Sequence, residues 1–496
     1  MEEATLAFEE GLTALKIETP ESLVEPFQAL TELFPSDYRM YQILGLAARK
    51  STHSALAAEA FANAAKLAPN DPLIAHSHAR TALEAGMPAV QLFKRASALN
   101  PNDGNAHLGL VAALIDEGRV GEASEYLRNL LKSNSLWLQG HKDYAHLLGQ
   151  LGEDPFQGIL ASLHQQPGSL HLHELLIGIA VEAKNYAGAQ RYAMDAIARF
   201  GETSSLLLLA AHIASERGHY DEADDLFNRL KENGGHNFLT LRARHYIRTE
   251  RFADVSDLLS PHLGTSYANQ VLPYLSLAWR MIDDDRWAWL EGDDRFVAVH
   301  DFEESDADWS LVAEKLRKLH FAKAEPLDQS VRNGTQTNGN LLLRVDPAIQ
   351  RVKNVIEKAV TEYVNNLPTL TAAHPFLVQK GKPARISGSW SVRLTEKGYH
   401  ADHFHSEGWI SSALYIVVPS NINDPKHVNS GVESHPGWLS LGECRELVPS
   451  LSPLRLIEPK RARLVLFPSF MWHGTRPFSS GERLTIAFDV ARNQQD

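Results

Sequence analysis

One cysteine, Cys444, occurs in 496 residues. No intrachain disulfide can form, and a reducing compartment suits the chain. No run of about 18 apolar residues occurs, so nothing is expected to span a membrane. The opening stretch, MEEATLAFEEGLTALKIE, is acidic and lacks the apolar core of a secretion signal. A soluble cytoplasmic protein is the expectation. Positive charge is also in short supply: 48 Lys and Arg stand against 61 Asp and Glu, a formal net charge of -13. That balance argues against a nucleic-acid backbone as the main partner. What remains is an ordinary apolar content of 44% and a length that suggests two or three domains with cores of their own.

Residues 1–280 have few β-branched runs. Alanine, leucine and charged residues recur there at three- and four-residue spacing, which predicts helices throughout. Breaks fall near His53, Gly86, Gly118, Gly152, Asn185, Gly218 and Arg251, that is, every 32 to 34 residues. An alanine follows most breaks by four or five residues (Ala123, Ala189, Ala223). An aromatic follows by seven to nine or so: Phe61, Phe93, Tyr126, Tyr192, Phe227. Each unit reads as a helical hairpin that must stack on its neighbours to bury its apolar face. The small alanine lets two helices approach, and the aromatic fills the groove beside it. The period resembles the tetratricopeptide repeat over about seven units. The unit around Gly152 departs from it, with Pro155 and no aromatic in the usual place. The resemblance implies an all-α solenoid. Its surface would bind a peptide or protein, or serve as a scaffold or dimerisation arm. A second copy of the chain is therefore a further candidate partner.

Residues 281–300, MIDDDRWAWLEGDDRFVAVH, interrupt the repeat and read as a domain junction, with the tryptophans pinning the two sides together. Residues 301–496 then form the second domain. Helices are expected over 303–326 and 347–364. Gly334 and Gly339, among Asn and Thr, predict a loop between them.

Trp390–Leu394, Ile410–Val418, Arg463–Phe467 and Arg483–Val490 read as strands. With the flanking helices they suggest a double-stranded β-helix, or jelly roll. Histidines cluster at strand ends. A mononuclear iron site needs ligands on one face of the metal, usually two histidines and a carboxylate. Two first pairs compete here: His403 with His405, or His400 with Asp402. In extended chain, side chains at i and i+2 share a face, so only one pair could face the interior. His473 is the candidate third ligand. Arg483 and Thr485 share a strand face, and an arginine fork suits a carboxylate. Trp390 and Tyr415 lie on neighbouring strands and are candidates to line the cosubstrate pocket. Cys444 reads as incidental, and His374, His427 and His435 as solvated.

From residue 327 to the end the chain resembles a bacterial family of 2-oxoglutarate- and Fe(II)-dependent oxygenases that is often fused to tetratricopeptide repeats. The resemblance rests on Gly334-Thr335-Gln336-Thr337, His403-Phe404-His405, Ser411-Ser412, Phe467-Pro468-Ser469, His473 and Arg483. Two positions depart from the family pattern: Asp402 where proline usually precedes the H-x-H, and Ser412 where glycine follows the strand serine. The resemblance favours His403 with His405 as the first pair. It implies Fe(II), 2-oxoglutarate and O2 as cofactor and cosubstrates, and hydroxylation of a C–H bond in a peptide, protein or other substrate presented by the repeats. The competing expectations are a non-catalytic interaction scaffold and an iron or oxygen sensor.

Overall fold

The computed structural model describes residues 2–17, 19–230, 235–369, 374–382, 384–420 and 435–492. From Glu2 to Met281 helix follows helix, without a strand among the described residues. The paired helices reverse through a left-handed residue: Thr52, Gly86, Gly118, Gly152, Lys184, Gly218 and Glu250 all have positive φ. These are the breaks of the sequence period, and glycine holds four of them because it enters that region without a Cβ penalty. Ala123, Ala189 and Ala223 are fully buried, as are Phe61, Phe93 and Phe227. A Cβ on Gly45 would lie 2.6 Å from the Phe61 ring, so the close approach needs glycine. In the divergent unit, Phe156 packs against the Ile159–Leu172–Leu176 cluster and supplies the missing aromatic.

The chain divides into two compact units. The first holds Met1–Asn129 with Asn338–Val355. Within it Arg344 pairs with Asp116 at 2.7 Å, Val345 N–H donates to the Ala85 carbonyl, and Lys353 donates to the Thr52 carbonyl. The second holds Leu130–Thr337 with Ile356–Asn493. The later repeats thus share a unit with the sheets. In that acidic segment the buried residues are Leu290, Glu291 and Phe296. Trp289 is 42% exposed, so Leu290 and Phe296 do the anchoring that the tryptophans were expected to do.

Among the described residues nine strands follow: β1 (Ala298–Asp301), β2 (Val331–Gln336), β3 (Ala384–His400), β4 (Ile410–Val417), β5 (Leu439–Leu441), β6 (Arg455–Ile457), β7 (Arg463–Pro468), β8 (His473–Thr475) and β9 (Arg483–Arg492). They form an antiparallel six-stranded sheet, β1-β7-β4-β9-β3-β2, and a three-stranded sheet, β6-β5-β8. Tyr415, Val465 and Phe467 of the first meet Leu439, Leu441 and Ile457 of the second in one core cluster. Helix Trp309–Leu319 forms only the middle of the expected 303–326 span, and Pro347–Asn366 covers 347–364.

The Gly334 region differs from the expected loop. It pairs with β3 as a strand, with a register break between Arg332 and Gly334. The break explains the glycine: a Cβ there would meet the Arg393 carbonyl oxygen at 2.6 Å. Thr335 faces His320, whose ring lies 2.8 Å from Thr335 Oγ1 and 3.1 Å from Ser391 Oγ. Burial pushes the His320 pKa down to about 4. The unfolded chain would protonate this histidine near pH 6.5, whereas the fold keeps it neutral. Its contribution to stability is therefore complete above about pH 6.5 and is lost as pH falls toward 4. Thermal unfolding at pH 7 and pH 5 should show a smaller loss of Tm in His320→Gln than in the parent; an equal loss would remove His320 from the acid response.

Candidate metal centre and carboxylate pocket

β3 ends at His400, and residues 401–409 run to β4 without regular structure. Backbone bonds fix that run. His403 and His473 exchange N–H to carbonyl bonds of 2.9 and 2.8 Å, and His405 N–H donates to the Ser469 carbonyl. Residues 70 positions apart in sequence are thereby set face to face. The three rings lie 4.2, 5.1 and 5.2 Å apart, and one ring nitrogen from each falls within 4.8 Å of the others.

Each ring is held through Nδ1. His403 Nδ1 lies 2.8 Å from the Ala401 carbonyl oxygen, His473 Nδ1 lies 2.9 Å from that of Met471, and His405 Nδ1 lies 2.7 Å from both oxygens of Asp489. These acceptors select the tautomer with the proton on Nδ1, which leaves the Nε2 lone pair to bind a metal. Burial, then the neighbouring His405, pushes the His403 pKa down to about 3. Burial and the other two rings hold His473 well below its ordinary value. Neutral imidazoles are what metal binding requires.

His400 and Asp402 are placed differently. The His400 ring stacks 5.7 Å from His403, with Nδ1 2.9 Å from Ser330 Oγ. The Asp402 side chain is buried and turned to Arg445, accepting from Nη2 at 2.7 Å and from Nε and the backbone N–H at 2.8 Å. The parity rule does not apply here, because the chain leaves the extended conformation after His400 and brings His400, His403 and His405 near one another.

Arg483 is 2% exposed. Its Nη1 donates to Thr475 Oγ1 at 3.1 Å, and its guanidinium lies 4.9 Å above the Tyr415 ring. No ion pair with it occurs among the described residues, and its Nε and the Tyr415 hydroxyl have no hydrogen-bond partner there. Thr485, also buried, sits opposite Tyr415 in the β4–β9 ladder. A buried cation without a counter-ion is costly, and this fork with a spare hydroxyl beside it fits a carboxylate from a ligand. Strand β8 links the two groups: His473 and Thr475 are two residues apart and share a face. Trp390 lies beside the histidines, 5.6 Å from the His405 ring.

Several residues of the site carry no motif in the sequence. Asp489 shares the strand face of Arg483 and Thr485, so strand parity could have found it. Ser411 Oγ donates to Asp489 at 2.7 Å. Behind the histidines, Phe404, Trp472 and Tyr274 form an aromatic trio with centroids 5.0 to 5.8 Å apart. Trp472 Nε1–H also donates to the Pro273 carbonyl at 2.8 Å. Tyr274 and Pro273 belong to the repeat helix Ala268–Met281, and no sequence signal ties it to residues 200 positions on.

Other expectations fared variously. His374 is buried, not solvated; it lies 3.0 Å from the Trp289 carbonyl oxygen, and its Nδ1 accepts the Phe376 and Leu377 N–H groups. His435 is exposed, and His427 lies outside the described residues. Cys444 is buried, with its pKa pushed up to about 12 by burial, which makes it unreactive. A second grouping, His146, Glu182 and Asp328, reads as an ion-pair network, because Lys142 already sits 3.1 Å from Glu182.

Residues 388–489 match the family model described as "Putative 2OG-Fe(II) oxygenase". The matched span runs from β3 to Asp489 and contains the three histidines, Arg483 and Thr485. Residues 89–151 match a tetratricopeptide repeat model. No curated protein matches the chain. Among solved structures, HygX from Streptomyces hygroscopicus with nickel and 2-oxoglutarate bound is similar at 11% identity, over 40% of this chain and 84% of that one, with a TM-score of 0.28. A Pseudomonas putida prolyl-4-hydroxylase is similar at 14% identity, over 43% and 97%, with a TM-score of 0.27. A tetratricopeptide repeat protein from Parabacteroides merdae is similar at 15% identity, over 49% and 98%, with a TM-score of 0.30. No described helix is long and apolar enough to cross a membrane.

Proposed function

We propose that the chain is a 2-oxoglutarate- and Fe(II)-dependent dioxygenase of jelly-roll type that hydroxylates a C–H bond. His403, His405 and His473 would hold the metal through Nε2. Arg483, with Thr485 and the Tyr415 hydroxyl, would grip the distal carboxylate of 2-oxoglutarate. Bound Fe(II) with 2-oxoglutarate supplies O2 activation, so that one oxygen atom leaves in succinate beside released CO2 and the other enters the substrate C–H bond. The chain's own part is to keep the His403 and His473 imidazoles neutral, to orient all three rings through Nδ1 and to exclude water from a charged clamp. Arg483 carries the reading. A scaffold without cosubstrate would gain nothing from a buried guanidinium left without a counter-ion. The substrate we assign is a peptide or protein held by the repeats. Some of their turns are already engaged within the second unit: the Gln150 carbonyl accepts from Lys323 and Ala324, and Arg248 pairs with Glu446. The partner would therefore use another face of the repeats.

Arg483→Lys tests the reading. The ammonium keeps the charge and loses the planar fork, so Fe(II) binding should persist while 2-oxoglutarate affinity falls about tenfold or more, roughly 1.5–3 kcal/mol. Succinate formation measured against 2-oxoglutarate concentration reads this directly. Unchanged dependence on 2-oxoglutarate would remove Arg483 from the site.

A further inference from the structure

The three histidines, as candidate ligands, share a deficit. Iron sites of this kind ordinarily take two histidines and a carboxylate, so the metal's charge is partly neutralised by a ligand. Three imidazole ligands provide no such charge, and Asp402, the carboxylate of the alternative pair, is committed to Arg445.

The three rings are not equivalent. His403 and His473 rest their Nδ1 atoms on backbone carbonyl oxygens, which carry no net charge. His405 alone rests on a carboxylate, with both Asp489 oxygens 2.7 Å from Nδ1. The Asp489 side chain is 16% exposed, and among the described residues it forms no ion pair with lysine or arginine. It is fixed in place: Ser411 Oγ donates to Oδ1 at 2.7 Å and is itself 2.9 Å from Ser469 Oγ, while the backbone of Asp489 lies in register with Ser411 across β4–β9. The carboxylate is thus held rigidly, turned toward one histidine and not neutralised by a basic side chain.

We propose that Asp489 is a positioning residue whose negative charge, delivered through His405, stands in for the carboxylate ligand that the three-histidine set lacks. A carboxylate on Nδ1–H increases electron donation from Nε2 and fixes the ring's direction. The charge then sits one imidazole away from the metal instead of against it. This inference rests on the metal-site reading above.

The test is metal affinity in the full-length chain, with Fe(II) and Co(II) titrated separately under anaerobic conditions. Asp489→Asn keeps the shape and removes the charge; it should weaken both metals by about 10–100-fold. Asp489→Glu keeps the charge and should recover much of that loss. Ser411→Ala removes a support of the carboxylate but not its charge, and should cost far less than Asp489→Asn. At saturating Co(II) the visible spectrum of Asp489→Asn should match the parent's, because the same three nitrogens coordinate. Parent-like affinity in Asp489→Asn overturns the proposal, as do equal losses in Asp489→Asn and Ser411→Ala, which would mark a purely structural role. If the parent itself binds neither metal, the metal-site reading falls and this inference falls with it. Metal bound by the parent with Asp489→Asn unchanged overturns the inference alone.

Discussion

His473→Ala abolishes Fe(II) binding, whereas Asp402→Asn retains it: this is the largest contrast expected of the site. His473 is buried and is one of the three rings whose nitrogens converge. Asp402 has both oxygens on Arg445 and is expected to contribute to folding rather than to metal binding. Asp402→Asn weakens a buried ion pair, and breaking such a pair costs about 3–5 kcal/mol. The variant should melt well below the parent and still bind one equivalent of iron when folded. His405→Ala should resemble His473→Ala. Iron stoichiometry, with folding checked by circular dichroism, reads all three. Loss of iron in folded Asp402→Asn with retention in His405→Ala would reverse the assignment toward His400 and Asp402.

A chain beginning near residue 296 should fail to fold, while one beginning near residue 130 should fold and keep the site. The repeat helix Ala268–Met281 is buried from Val271 to Trp279. Through Tyr274 and the Pro273 carbonyl it covers Phe404 and Trp472, the neighbours of the candidate ligands. Arg280 donates to the carbonyls of Gly442 and Ser452, at 2.6 Å for the latter, and Arg244 and Arg248 pair with Glu446. Uncovering large aromatics forfeits on the order of several kcal/mol each, against a total stability of about 5–15 kcal/mol for a domain. Expression of both chains, with solubility and near-ultraviolet circular dichroism, checks this. A soluble, cooperatively melting chain from residue 296 would show that the later repeats are dispensable to the sheets.

Local order in the chain was legible where a residue's neighbours in sequence are its neighbours in space. The repeat breaks could be read because each hairpin needs a left-handed residue at its turn. The four main strands could be read from apolar runs, and Arg483 with Thr485 from strand parity. Parity failed at His400–His405, because extended geometry stops at His400. The Gly334 strand was hidden because its bulge glycine and threonines also spell a loop. Asp489 shares the face of Arg483, but a carboxylate that partners a ligand rather than binding the metal carries no spacing signal of its own. The Tyr274–Phe404–Trp472 packing had no local signal, since it joins a helical repeat to sheet loops through tertiary contact alone.

The most direct test of the central claim is an anaerobic titration of the intact chain with Fe(II) and then 2-oxoglutarate, followed by visible absorption. The account predicts one equivalent of each and a weak charge-transfer band that needs both. The band should be absent in His473→Ala and shifted to higher 2-oxoglutarate concentration in Arg483→Lys. A parent chain that binds no iron, or binds iron and shows no band at any 2-oxoglutarate concentration, would contradict it.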